Sequence, residues 1–137
     1  MDAIRVGCRD VLFLIRSKQQ LPKLAARFFR TEGGTEPVRE WLRDLNADDR
    51  KRVGDEIRKV QFGWPIGMPL VRKLGPDLWE VRVRLDRRIA RVLFAVFEGE
   101  AVLLHAFVKK SEKTPATEMN TALRRLNALT AHNRSYH

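Results

Sequence analysis

The chain has 137 residues, enough for one domain that buries its own core, and 44% hydrophobic with 32% charged residues exclude a disordered or fibrous chain. A formal net charge of +10 creates a field that attracts phosphate backbones or an acidic protein, with an affinity that falls as salt rises. The lone Cys8 cannot close an intrachain disulfide, no Cys/His spacing suits zinc, and no apolar run is long enough for a signal core or a membrane span. A cytoplasmic protein with no metal, no cofactor and no membrane association is therefore expected.

Residues 1–22 read as an N-terminal extension whose first twenty positions show no period and fit an extra strand, a short helix or a loose arm equally. The run KLAARFFRT from Lys23 to Thr31, between Pro22 and Gly33-Gly34, reads as the first strand. Thr35, Glu36 and Pro37 give a helix start, and Val38, Trp41, Leu42 and Leu45 recur at the spacing of one buried helical face. Asn46 with Asp48 and Asp49 restarts the chain as a helix, striped by Val53, Ile57 and Val60. Gly63, Pro65, Gly67 and Pro69 then break any helix, and the interleaved Trp64, Ile66 and Met68 predict a loop that packs down on the domain.

After Gly75-Pro76, Trp79, Val81, Val83 and Leu85 alternate with Glu80, Arg82 and Arg84, a period of two with one apolar and one cationic face. Asp86-Arg87 turns this strand into Arg88 to Phe97, and Gly99 turns that into Ala101 to Val108. Thr114-Pro115 opens a last helix with Met119, Ala122, Leu123, Leu126 and Leu129 on one side. The order is β-α-α-β-β-β-α. The expected class is α+β, an antiparallel sheet with a helical hairpin and a C-terminal helix packed on one face and the other face open for function. The domain is placed at residues 23–130, with 131–137 as a flexible tail.

Charge is distributed unevenly: residues 31–62 hold seven Lys and Arg against eight Asp and Glu, whereas residues 70–113 hold ten against six. Arg82 and Arg84 point to one side of their strand, and Arg91 returns beside them on the next, so three guanidinium groups converge. Lys109 and Lys110 end the following strand, Lys113 lies in the loop beyond, and Arg88 and Lys73 complete the basic set. Like charges this close repel until an anion relieves them, which favours a bound phosphate; a charged surface that merely guards a sheet edge is the competing reading. There is no nucleophile elbow, glycine-rich phosphate loop or HExxH, and no carboxylate pair on the cationic face. RNA, however, carries its own nucleophile, and attack by a 2′-hydroxyl needs in-line positioning, stabilisation of the phosphorane and proton transfer. Arginine and lysine can supply these. His105, on the lysine-bearing strand, is the titrating candidate, although a histidine so placed is more often packed and hydrogen-bonded than catalytic. Trp64 and Trp79 fit core anchoring better than base stacking.

The segments LWEVRVRLDRRIARVLFAV and VLLHAFVKKSEKTPATEM, followed by the closing amphipathic helix, resemble the RelE/ParE toxin superfamily, in its HigB-like, phage-derived (Gp49-like) branch. The resemblance covers residues 23 to about 129 and implies a RelE-like fold. It implies a toxin of a type II toxin–antitoxin system, and for the RelE and HigB branches an endoribonuclease that cleaves mRNA in the ribosomal A site without metal. By position it places Arg82 and Arg84 among the basic residues of the nuclease branch, Arg91 at the arginine that stabilises the transition state, and Lys110 at a second basic position. The catalytic candidates are thus Arg91, Lys110, Arg84 and His105, and the RNA-binding candidates Arg82, Arg88, Lys109, Lys113 and Lys73. Ala116 stands where the resemblance expects a tyrosine, so proton transfer is done differently or not at all. The resemblance also implies a small antitoxin, often of helix-turn-helix type, with operator DNA bound only through the complex. A ParE-like gyrase inhibitor and a non-catalytic RNA-binding relative are the alternatives.

Overall fold

In the computed structural model, which describes residues 21–67, 69–110 and 113–135, two short turns set the register of the sheet. Leu85 pairs with Arg88 around Asp86-Arg87, and Phe97 with Glu100 around Glu98-Gly99. Glu98 and Gly99 both take left-handed backbone angles, φ 50° and 77°, the geometry whose twist matches that of the flanking strands. The elements are β1 (Ala25–Phe28), α1 (Pro37–Asp44), α2 (Ala47–Gly63), β2 (Val71–Gly75), β3 (Leu78–Leu85), β4 (Arg88–Phe97), β5 (Glu100–Lys109) and α3 (Ala116–Ser135). They form one five-stranded sheet in the order β1-β5-β4-β3-β2, antiparallel throughout except that β1 runs parallel to β5.

The α+β class and the expected elements stand, with one strand more than the pattern predicts. The short β2 pairs with β3 from Val71 opposite Val81 to Lys73 opposite Trp79, and it carries Arg72 and Lys73 exposed at the sheet edge. Val71 alone is fully buried, so this short edge strand shows no alternation. The N-terminal extension lies outside the described residues as far as residue 20, and α3 runs through Ser135, so the boundary expected at 131 falls within a helix.

Helix ends follow from their capping groups. Pro37 supplies the fixed φ suited to the first position of α1. The carbonyls at its far end are taken by Arg50, whose guanidinium donates to Leu42, Arg43 and Leu45 at 3.0, 3.0 and 2.7 Å. At α2, the Asn46 side chain accepts from the Asp49 backbone N–H at 2.8 Å, and Asp48 and Asp49 lie in the first turn, favourable to the helix dipole.

The helical hairpin packs on one face of the sheet. Val38, Leu42, Val53, Ile57 and Val60 join Val81, Val83, Val92, Phe94 and Leu103 in a single apolar cluster. Trp64 anchors its rim, with its ring 5.0 Å from Trp79 and 5.8 Å from Phe94, both edge-on. A second cluster joins Leu93, Ala95, Val102, Leu104 and Phe107 to Ala122 and Leu129 of α3, with Met119 and Leu126 packed against it. The two clusters take alternate residues of β4 and β5, so α3 lies over the reverse of the face that carries the hairpin. The reverse face is therefore partly covered, and its uncovered part begins beyond α3. Both strands are near-continuous apolar runs, the pattern of strands covered on both sides. Leu123, expected in the apolar stripe of α3, is 40% exposed. Among the described residues no helix is long and apolar enough to cross a membrane.

Candidate nucleic-acid interface

Residues directly opposite each other on paired strands share a face, so the register of β3, β4 and β5 lays out three rows on the face beneath α3. Glu80, Leu93 and His105 form the first row, Arg82, Arg91 and Phe107 the second, and Arg84, Ile89 and Lys109 the third, at the end of the sheet. The sequence-predicted Arg82, Arg84, Arg91, Lys109 and His105 are thus brought onto one face. Lys110 follows the end of β5 and is exposed, as is Lys113. Two RNA-binding candidates are placed elsewhere. Arg88 pairs opposite Leu85 and its guanidinium bonds Asp49 of α2 at 2.8 Å, on the hairpin side. Lys73 pairs opposite Trp79 and stands 5.1 Å from the centre of that ring.

Within the rows, burial separates the charges sharply. Arg91 and Glu80 are both fully buried. The Glu80 carboxylate accepts from Arg82 Nε at 2.8 Å and from the Thr114 hydroxyl at 2.5 Å. Arg91 Nη1 donates to the Lys113 carbonyl at 2.8 Å, and its guanidinium lies 5.7 Å from the centre of the Phe107 ring. Consecutive residues just before α3 are therefore bound to neighbouring rows of the sheet, and the polar circuit fixes where α3 starts. Taking these charges out of water is tolerable because each has charged or hydrogen-bonding neighbours.

His105 belongs to the same framework. Its Nε2 lies 2.6 Å from Glu118 Oε1, and its Nδ1 lies 3.2 Å from Arg125 Nη1, which also donates to the Leu104 carbonyl at 2.9 Å. A guanidinium only donates, so Nδ1 accepts and the ring proton faces Glu118. Burial, then the neighbouring Arg124, lowers the pKa of Arg125 from its ordinary value. The geometry makes His105 a docking point for α3, stacked on Phe107 at 5.8 Å between ring centres.

The third row differs. Arg84 and Lys109 are exposed on either side of the buried Ile89, and Lys110 extends the positive surface beyond β5. This row can hold a phosphate oxygen from two sides without first desolvating a buried charge. Nearby, a cavity of about 570 Å³ is lined by Lys113, Thr114, Pro115, Ala116, Met119 and Asn120. Ala116, where a tyrosine was expected, is thus one of the residues lining this cavity.

Sequence reasoning missed Glu80, Thr114, Glu118 and Arg125. A carboxylate in alternation with two arginines was the signal for Glu80. For the pair on α3, Glu118 and Arg125 share the helical stripe of Ala122 and Leu129 at intervals of three and four. Thr114 reads locally only as a helix start, and nothing in the sequence directs it to Glu80.

A family model described as phage derived protein Gp49-like matches residues 40–127, from within α1 to within α3. No curated protein matches the chain significantly.

Proposed function

Because the chain belongs to the phage derived protein Gp49-like family, a family of RelE/ParE-like toxins that commonly serve in toxin–antitoxin systems, we propose that it is a HigB-like toxin that cleaves mRNA on the ribosome. The observation that carries this reading is the cross-strand row of Arg84 and Lys109 with Lys110 beyond it, exposed at one end of a face whose interior is fully packed. In the proposed reaction the RNA supplies its own 2′-hydroxyl as nucleophile: its oxygen bonds the phosphorus as the P–O5′ bond breaks, leaving a 2′,3′-cyclic phosphate, while the hydroxyl proton passes to water and water protonates the departing 5′-oxygen. The row holds the scissile phosphate in line and offsets the charge that grows on the phosphorane oxygens. Arg91, from beneath, fixes the position of the Lys113 carbonyl and so the edge of the site. The partners implied are a small antitoxin of helix-turn-helix type, mRNA in the ribosomal A site, and operator DNA reached only through the antitoxin complex.

Primer extension on cellular mRNA after induction tests the reading. New 5′ ends with the wild type, lost with Arg84→Ala and Lys110→Ala, are expected; cuts that persist in both variants would remove the row from the mechanism. A second reading, a ParE-like inhibitor of DNA gyrase that binds protein and does no chemistry, is favoured by one feature. Glu80 holds Arg82, burial covers Arg91, and Glu118 and Arg125 occupy both ring nitrogens of His105. Inhibition of supercoiling by purified gyrase, without mRNA cuts, selects that reading.

A further inference from the structure

A second concentration of positive charge lies around the sheet edge from the exposed row. An open groove of about 730 Å³ runs between α2 and the outer end of β3, with Arg84 on its rim. Arg52 of α2, Arg72 of β2 and Arg82 of β3 line it, and Leu70, Val83 and Ile89 give it an apolar part. The groove also holds two carboxylates, and both are engaged by lysines of the same helix: Asp55 accepts from Lys51 at 2.8 Å and Glu56 from Lys59 at 3.0 Å. Arg52, Arg72 and Arg84 enter none of the ion pairs found among the described residues. Four guanidinium-bearing residues thus line one groove: Arg82 is held by Glu80, and Arg52, Arg72 and Arg84 have no acid assigned to them. Each of these last three is exposed, so holding it there costs little until a ligand arrives.

Arg84 belongs to both surfaces, to the row on the sheet face and to the groove around its edge. A polynucleotide whose reacting phosphate lies between Arg84 and Lys109 would leave the face past Arg84 and bring its next phosphates towards Arg72 and Arg52. The apolar part gives an unstacked base a surface to rest on. An acidic peptide would meet the same cations, but the continuity with the phosphate-holding row favours a nucleic acid strand.

We propose that the groove between α2 and β3 is a subsite for the phosphates that flank the reacting one in single-stranded RNA. The proposal rests on the reading that the exposed row holds RNA, and it adds Arg52 and Arg72 as residues that set strand affinity without touching the reacting phosphate.

The test uses the full chain and 2′-O-methyl RNA, which cannot be cleaved. Binding of a trinucleotide, which spans the row alone, and of a nonanucleotide, which reaches the groove, is measured by fluorescence anisotropy over a range of salt. For Arg52→Ala with Arg72→Ala, nonanucleotide affinity is expected to fall about tenfold. The slope of log K against log salt should shrink by about 1.4, two phosphate contacts at roughly 0.7 each on a single strand. The trinucleotide should bind as before, and Arg52→Lys with Arg72→Lys should restore most of the nonanucleotide affinity. Equal nonanucleotide binding by wild type and the alanine variant overturns the subsite, as does an equal loss on the trinucleotide. A glutamate-rich peptide that displaces the nonanucleotide from the wild type, and itself depends on Arg52 and Arg72, reassigns the groove to an acidic protein and also overturns it. Failure of the wild type to bind either oligonucleotide defeats the RNA reading of the row itself, a result distinct from all of these.

Discussion

The two ends of the sheet face under α3 use the same residue types for opposite purposes. At the inner end Arg82, Arg91 and His105 are buried or half-buried and tied to Glu80, the Lys113 carbonyl, Glu118 and Arg125. At the outer end Arg84 and Lys109 flank Ile89 in solvent, with Lys110 beyond. A charge withdrawn from water must be compensated where it lies, so the inner set is committed to building the domain and docking its last helix. A charge left in water keeps its capacity for a ligand. Counting basic residues along the strands therefore finds the face, and burial decides which end of it can act.

The comparison breaks most easily at Glu80. Removing a fully buried carboxylate that faces a guanidinium and a hydroxyl should cost about 3 kcal/mol, the lower end for a broken buried pair because Arg82 retains 17% side-chain exposure. Urea unfolding of Glu80→Ala measures it, with Leu42→Ala of the hairpin-side core as a comparator of about the same size. A loss below about 1 kcal/mol would mean that the inner circuit does not hold the fold. His105→Ala comes next. The loss of two hydrogen bonds and a stacked ring should lower stability by about 2 kcal/mol while RNA cleavage keeps its pH profile. A flattened profile in a folded variant would return His105 to the chemistry.

At the outer end the signs reverse. Arg84→Ala with Lys109→Ala should leave unfolding within about 0.5 kcal/mol of the wild type, as for exposed positions generally. The same variant should weaken RNA binding about tenfold, or about 1.4 kcal/mol, with a shallower salt dependence. Unfolding that drops by several kcal/mol would assign these residues to the framework as well. The smallest effect is expected far from either end. Glu98 holds φ 50° ahead of Gly99, and asparagine tolerates that conformation better, so Glu98→Asn should raise stability by about 0.5 kcal/mol without altering RNA binding.

The elements of the hairpin, the β3–β4–β5 meander and the last helix were legible because each carries a period and a turn. Val38 with Leu42, the alternation from Trp79 to Leu85, and the Glu98-Gly99 turn state their conformations locally. β2 was not legible, since Val71 is the one fully buried residue of VRKLG, and a single buried position makes no period. The side taken by α3 was hidden for another reason: an apolar stripe shows that a helix packs, whereas the sheet face it meets is shown only by the apolar residues of both parities in β4 and β5. The shared face of Arg82, Arg84, Arg91 and Lys109 could be read from strand spacing and turn length. What spacing could not give was burial, because the covering of Arg91 and His105 comes from Lys113, Glu118 and Arg125, distant in sequence and placed by the fold.

The most direct test of the division between a structural inner end and an RNA-holding outer end is an amide and side-chain NMR titration of the folded chain with uncleavable single-stranded RNA. Shifts should concentrate at Arg84, Ile89, Lys109 and Lys110, joined by Arg52 and Arg72 when the strand is long enough to reach the groove, and spare Glu80 and His105. Shifts centred on the inner rows, or on the Trp64 and Trp79 side of the sheet, would contradict the account.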